Sequence, residues 1–432
     1  MYITRKRKRY LRYYIFSLCI AGICLAASFS SSSNNEETDQ PNSDGIESTK
    51  KPSNTPQNEV LDGVEKKTAS LLEEQNTDAL PQIPNRLPPA SDDGYIYLNN
   101  RRLTIDPDYQ ASLTDFIQQH GNPKATIVAV DIKTGRILAM AQGEDTTTWG
   151  QQGHTALYTG FPAASIFKNV TAASALDILS FDEDKQIGLR GGCASVHSRG
   201  IWLKDIPPSR HYRMTLRLAY GRSCNGFFAK MAVNEVGLGS IEEYASRFGW
   251  GHIIPTDFKL KASPIIAPKA AESSIHTVGR FAAGFGLVGL SAMHAAWFTV
   301  AIANDGVPKK LTLFTDTPAP INYYEHRLFA KETGVKLRDI MKKTTNGGTA
   351  SSVFRKRRYR KLKSLVGGKT GTLNGNAPKG LTNWFTGIMP LDNPEIAIAA
   401  VTVTGDLWFI KGPHLAAEGF RQWHDLKNSR MK

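Results

Sequence analysis

The chain is 432 residues long, 41% hydrophobic and 21% charged, with a formal net charge of +14. That content can build at least one sizeable core and excludes a wholly disordered chain. The charge imitates a nucleic-acid signal until it is located: Arg5, Lys6, Arg7, Lys8, Arg9 and Arg12 form one run, Arg355, Lys356, Arg357, Arg358, Arg360, Lys361 and Lys363 another, and the rest of the chain is nearly neutral.

In chain order, residues 1–12 read as a basic arm. The uncharged stretch Tyr13–Phe29 sits at the lower limit of the roughly 17–25 residues that span a bilayer. Positive charge stays on the cytoplasmic side, so this order predicts a single-pass signal-anchor in the cell (inner) membrane, with all that follows extracytoplasmic or periplasmic. A cleaved signal peptide is the competing reading, because a polar, Ser-rich stretch follows. A lipoprotein is disfavoured, since Ile23 precedes Cys24 where a small residue belongs. Residues 30–94 are rich in Ser, Asn, Glu, Asp and Pro, cannot bury enough apolar surface to offset chain entropy, and read as a disordered tether with a weakly helical patch around Val60–Leu72. Of the four cysteines, Cys19 and Cys24 lie in the apolar stretch. Cys193 and Cys224 remain for the folded part, either as a disulfide or as buried thiols. No His, Cys and Asp cluster has metal-ligand spacing, so neither metal nor cofactor is expected.

Residues 95–432 read as one domain. Ala125–Ile132 alternates like a half-buried strand, Lys133–Arg136 supplies a Gly-containing turn, and Ile137–Ala141 continues as a second strand. Helical spacing follows over Pro162–Leu179, Met214–Val236 and Arg280–Asn304. Leu365–Thr372, Trp384–Met389 and Ile396–Thr404 read as three more strands. Strands at both ends with helices between them predict an α+β domain whose sheet joins the two ends of the sequence.

Three short patterns carry chemistry: Ser165-Ile166-Phe167-Lys168, Ser223-Cys224-Asn225 and Lys369-Thr370-Gly371-Thr372. Singly they are weak, since S-x-x-K arises about once or twice by chance in a chain of this size. Decoys exist in Lys133-Thr134-Gly135, assigned to the hairpin turn, and Ser32-Ser33-Asn34, inside the tether. Context separates the copies. Ser165 and Lys168, three apart at the start of a helix, share one face, so the amine can reach the hydroxyl. A serine hydroxyl needs a base, and lysine serves as one only when burial or a second cation depresses its pKa. The Ala-rich surroundings of Lys168 supply the first condition, and Lys369 the second. The glycines Gly367 and Gly368 precede Lys369 on a strand with room for an extended peptide alongside.

The ordered S-x-x-K, S-x-N and K-T-G trio resembles the signature of penicillin-binding proteins and serine β-lactamases. The flanking blocks LTIDPDYQ, VAVDIKTGRILAMA, FPAASIFKNVTAASAL, AYGRSCNGFFAKMA, FAAGFGLVGLSAMHAAWFTVAIANDG, NGGTA, GGKTGT and NWFTGIMP are similar to the transpeptidase domain of penicillin-binding proteins, from about residue 95 onward. The resemblance implies the penicillin-binding/β-lactamase-like transpeptidase fold: an antiparallel sheet flanked by helices, plus a mainly helical subdomain. It implies that Ser165 attacks the penultimate D-Ala carbonyl of a peptidoglycan stem peptide, with Lys168 as base, Ser223 as proton relay, Asn225 as partner of the substrate amide and Lys369 setting the local potential. Thr370, Gly371 and Thr372 would line the substrate site, the two threonines receiving the terminal carboxylate and the backbone N–H groups of Ser165 and Thr372 forming an oxyanion hole. The implied partners are stem peptides, β-lactams, the membrane and a separate glycosyltransferase, since residues 30–94 have no room for that domain; nucleic acid is not expected. Rival readings are a β-lactamase or β-lactam sensor, a D,D-carboxypeptidase and a catalytically silent wall-binding scaffold. The run 355–363 reads as a solvated loop, or as a site for anionic phospholipid or acidic wall polymer.

Overall fold

The computed structural model describes residues 79–143, 153–194, 196, 200–204, 212–269, 273–318, 327–405 and 410–431. The expected basic arm, apolar anchor and weakly helical patch lie outside them. Among the described residues no helix is long and apolar enough to cross a membrane, and no group of three His, Cys, Asp or Glu residues is placed to hold a metal ion.

After a short ribbon, β1 (Tyr97–Leu98) and β2 (Arg101–Arg102), comes helix α1 (Pro107–Gln119), started by the Asp106 side chain accepting from the Tyr109 amide with Pro in its first turn. The expected hairpin is present as β3 (Ala125–Asp131) and β4 (Ile137–Gln142). Its Lys133-Thr134-Gly135 segment is a turn: the Thr134 amide and hydroxyl donate to Asp131 Oδ1 at 2.7 and 2.5 Å, and Gly135 has φ +76°. Far along the chain lie β10 (Gly367–Asn376), β11 (Lys379–Met389) and β12 (Ile396–Thr404). The five form an antiparallel sheet in the order β10-β11-β12-β3-β4, with Val401 paired to Thr126, so the sheet joins the two ends of the domain. β10 forms one edge of this sheet.

Every residue of β12 is buried because the sheet is covered on both faces. Side chains alternate. Ala397, Ala399 and Val401 enter the core with helix Ala292–Ala303, whereas Ile396, Ile398 and Ala400 enter a second core with helix Gly412–Arg430. That C-terminal helix buries Glu418 completely.

The helical middle differs from the expected pattern at three places. Pro162–Leu179 is not one helix: β5 (Phe161–Pro162) leads into a 3₁₀ turn, Ala164–Phe167, and only then into α2 (Lys168–Ile178). Met214–Val236 is interrupted. Short strands β6 (Ile187–Gly188) and β7 (Arg213–Met214) precede α3 (Leu216–Gly221), a turn follows, α4 (Asn225–Met231) runs into a π-helical stretch to Val236, and α5 (Leu238–Arg247) continues. Arg280–Asn304, apolar throughout, is α6 (Ile275–Ala282), strand β9 (Leu287–Leu290) and α7 (Ala292–Ala303). Gly284 and Gly286, at φ +90° and +108°, break it, and Ser291 caps the new helix through the His294 amide. β9 pairs with β5 and with β8 (Ile265–Ile266) in a small three-stranded sheet. Helices α8 (Lys331–Thr345), α9 (Ser351–Phe354) and α10 (Gly412–Arg430) complete the domain.

Packing also begins earlier than the expected tether boundary at residue 94. Ile83 is 1% exposed in the main core, and the Pro81 carbonyl accepts from the Lys259 amide at 2.9 Å. A single buried isoleucine inside a Pro-rich, polar stretch gives no periodic signal, which is why the sequence reads as tether there.

Candidate active site

Ser165 sits in the 3₁₀ turn before α2, preceded by Ala164 at φ +49°, a left-handed conformation that non-glycine residues adopt only when their surroundings impose it. Those surroundings are tight. A side chain at Gly284 would lie 2.0 Å from the Ala164 carbonyl oxygen, and one at Gly371 3.1 Å from Ile166. Glycine at both positions lets the 283–286 turn and strand β10 close on the turn from two sides. Trp384 Nε1 donates to the Pro162 carbonyl at 2.9 Å, and Asn169 Nδ2 to that of Ile166 at 2.8 Å.

One helical turn on, the Lys168 side chain is fully buried. Its Nζ lies 2.7 Å from Ser165 Oγ, 2.8 Å from Asn225 Oδ1 and 2.6 Å from the Ala283 carbonyl oxygen. Burial, and secondarily the nearby Lys369, holds its pKa well below the ordinary lysine value. Two of the three neighbours can only accept. A neutral amine therefore donates both protons to Asn225 and Ala283 and turns its lone pair to the Ser165 hydroxyl; a protonated amine donates to all three without moving.

The second serine follows α3. Ser223 has φ +56°, and its Oγ accepts from Lys369 Nζ at 2.8 Å. The amine also donates to the Thr370 carbonyl at 3.0 Å, and burial pushes its pKa down to about 7. Lys369 stands on strand β10, at one edge of the large sheet, with Nζ 5.5 Å from the centre of the Tyr220 ring. Thr370 Oγ1 is 2.5 Å from Thr349 Oγ1, and Thr372, paired with Asn383 across the hairpin, is exposed. Ser165, Ser223 and Asn225 are half-buried, so both hydroxyls lie nearer the surface than the fully buried Lys168 and Lys369 amines.

The structure thus brings Ser165, Lys168 and Asn225 together and joins Ser223 to Lys369, while Thr370 follows on the same strand, Gly371 packs against the Ser165 turn and Thr372 is exposed. Three further participants were not read there. The Ala283 carbonyl belongs to a backbone turn hidden inside an apolar run. Thr349 bridges two parts of the site: its amide donates to the Gly221 carbonyl at 2.9 Å while its hydroxyl meets Thr370. The NGGTA block that contains it was the available signal. Third, Cys224 is joined to Cys193 in a disulfide across 31 residues; two cysteines alone read more readily as buried thiols.

The sequence matches the penicillin binding protein transpeptidase domain over residues 125–422, and the chain belongs to that family. Solved structures share the fold. The D,D-transpeptidase domain of a peptidoglycan glycosyltransferase from Eggerthella lenta superposes with a TM-score of 0.61 at 22% identity, covering 75% of this chain and 82% of that one. A peptidoglycan glycosyltransferase from Burkholderia ambifaria gives 0.60 at 21% identity, covering 75% and 98%. The imipenem acyl-enzyme complex of penicillin-binding protein A from M. tuberculosis gives 0.59 at 20% identity, covering 74% and 79%. No curated protein matches the chain.

Proposed function

We propose that this protein is a peptidoglycan D,D-transpeptidase acylated at Ser165 by the D-Ala-D-Ala end of stem peptides, and inhibited by penicillin at the same residue. The observation that carries the reading is the buried Lys168 amine 2.7 Å from Ser165 Oγ, with its remaining donors engaged by Asn225 and Ala283. In the first step Ser165 Oγ bonds to the penultimate D-Ala carbonyl carbon while Lys168 takes the hydroxyl proton. The tetrahedral oxyanion is met by the backbone N–H groups of Ser165 and Thr372. The C–N bond then breaks, the terminal D-Ala leaves with a proton relayed by Ser223, and the ester remains. An acceptor amine attacks that ester, forms the cross-link and returns Ser165 to its hydroxyl.

Thr370 and Thr372 receive the terminal carboxylate of the donor peptide, and Lys369 supplies the attracting potential. The imipenem acyl-enzyme formed by the M. tuberculosis neighbour supports this reading for a shared fold. The basic arm, the apolar stretch 13–29 and the charge order support a membrane-anchored enzyme with its domain outside the cytoplasm.

The test is mass spectrometry of the protein with penicillin, followed over time, for wild type and Ser165→Ala. A stable adduct on Ser165, absent from the variant, is expected. Rapid release over hundreds of turnovers would make it a β-lactamase. Release of D-Ala from a model peptide without amine transfer would make it a carboxypeptidase, and no adduct at all a silent scaffold.

A further inference from the structure

We infer that the Cys193–Cys224 disulfide is a positioning element of the active site: it pins the 223–225 turn so that Ser223 and Asn225 stay on Lys369 and Lys168, and its reduction slows acylation while leaving the nucleophile in place. The inference rests on the acylation reading above.

Cys224 is the middle residue of the S-x-N turn and is fully buried. Its neighbours are the two residues whose side chains meet the two amines, at 2.8 Å each. The turn is not self-supporting. Ser223 stands in the left-handed region at φ +56°, which persists only where surrounding contacts impose it. Helix α4 starts at Asn225 with no side-chain oxygen capping it, so it lacks the usual device that fixes a helix start. What holds the turn is backbone bonding to one side, Cys224 N–H to the Ala219 carbonyl at 2.8 Å and Ser223 N–H to that of Tyr220 at 3.1 Å. On the other side are the disulfide and the Gly226 N–H donating to the Cys193 carbonyl at 3.0 Å.

The Cys193 side has little regular structure of its own. It follows Gly191 and Gly192, at φ +85° and +80°. Beside the covalent link, Cys193 rests against the core and its sulfur makes weak contacts with the Tyr212 hydroxyl at 3.5 Å and Met214 Sδ at 3.7 Å; losing the link loosens this segment and the Gly226 bond with it. Cys193 is only partly buried, so a small reductant can reach it. A phosphine gives up two electrons and becomes the phosphine oxide, water supplies its oxygen and the two protons, the S–S bond breaks, and Cys193 and Cys224 are left as thiols.

A displaced Asn225 removes one acceptor from the Lys168 amine, which is fully buried, and opens it to solvent. Groups facing that amine are Ser165 from the 3₁₀ turn, Asn225 and the Phe228 ring from α4, the Ala283 carbonyl, and the Lys369 amine from β10, which in turn lies over the Tyr220 phenol ring. Of these, Lys369 changes charge in the range measured, with its pKa pushed down to about 7, whereas burial raises the Tyr220 phenol and keeps it neutral there. Hydration restores the ordinary basicity of Lys168, so the acid limb of the acylation profile moves to higher pH.

The experiment uses the full chain in detergent, oxidised, reduced with a phosphine, and as Cys193→Ser, with the thiol count verified by mass spectrometry. The rate of labelling by fluorescent penicillin is measured from pH 5 to 10. We expect the reduced protein and Cys193→Ser to label about 10- to 100-fold more slowly, the loss expected of a misplacement near 1 Å, with the acid limb displaced upward and both effects reversed in the reduced wild type on reoxidation. An unchanged rate and profile after verified reduction overturns the inference. So does a smaller labelled fraction at an unchanged rate, which reports partial unfolding only. Should the oxidised wild type not label at all, the acylation reading falls, and hydrogen exchange over residues 219–228 decides: faster exchange confined to that segment upon reduction supports the pinning, and unchanged exchange refutes it.

Discussion

Lys168 has three neighbours and, as a neutral amine, two protons, so its arrangement is complete only when Ser165 is the donor. Replacing it with Met removes the base and should lower the rate of acylation by penicillin about 10²- to 10⁴-fold, read by fluorescent labelling. The wild-type rate should rise with pH along a limb well below the ordinary lysine range, because burial keeps the amine deprotonated there. Lys369 carries a cost of the opposite kind. Its folded pKa, about 7, lies below the ordinary 10.5, so the unfolded chain binds more protons between those values and stability contributed by this group increases as pH rises through that window. Below about pH 7 the penalty is fully present. Lys369→Met should therefore melt higher than wild type at neutral pH, and the gap should close toward pH 10.5 in thermal unfolding followed by circular dichroism, even though the variant no longer turns over. A more stable, inactive variant would show that the cation is kept for its chemistry.

At the scale of elements, the run 355–363 is two things at once. Arg355, Lys356, Arg357, Arg360 and Lys361 are exposed, as a solvated loop should be. Arg358 instead donates to both oxygens of Glu418, at 2.7 and 2.6 Å, joined there by Arg421 at 2.6 Å and the Tyr359 hydroxyl at 3.0 Å. Burial alone would raise the Glu418 pKa, but these donors outweigh it and hold the carboxylate down to about 2. Glu418→Ala should cost about 3 kcal/mol, the low end for a broken buried pair because Arg358 remains half-exposed. In the wild type this contribution is present above about pH 4.5 and disappears as pH falls toward 2, which acid unfolding of the two proteins compares directly. Serine at the five exposed positions should leave penicillin labelling unchanged. The sequence disclosed the strands and the three motifs because each is a local pattern whose spacing carries its own reason. It could not disclose Glu418, the Cys193–Cys224 link or the Ala283 carbonyl, because each acquires its meaning from a partner brought near by folding. The run Arg280–Asn304 misled for a related reason: helix Ala292–Ala303 is buried on every side and shows no period, the four-residue strand Leu287–Leu290 is too short to show its own although Leu287 is exposed, and the two left-handed glycines mark the break.

For the molecule as a whole, the boundary of the folded unit is set by Ile83 rather than by the composition of the stretch around it. A chain starting at Ala79 should fold and label with penicillin, whereas one starting at Tyr95 strips Ile83 from the core and Pro81 from its bond to Lys259, and should melt several degrees lower in differential scanning calorimetry. The strand order β10-β11-β12-β3-β4 has a temporal implication. During synthesis the β3–β4 hairpin emerges early and waits with a bare hydrogen-bonding edge until β12, encoded near the end of the message, arrives to cover it. A chain truncated before residue 396 leaves that edge bare, and should neither fold nor label with penicillin.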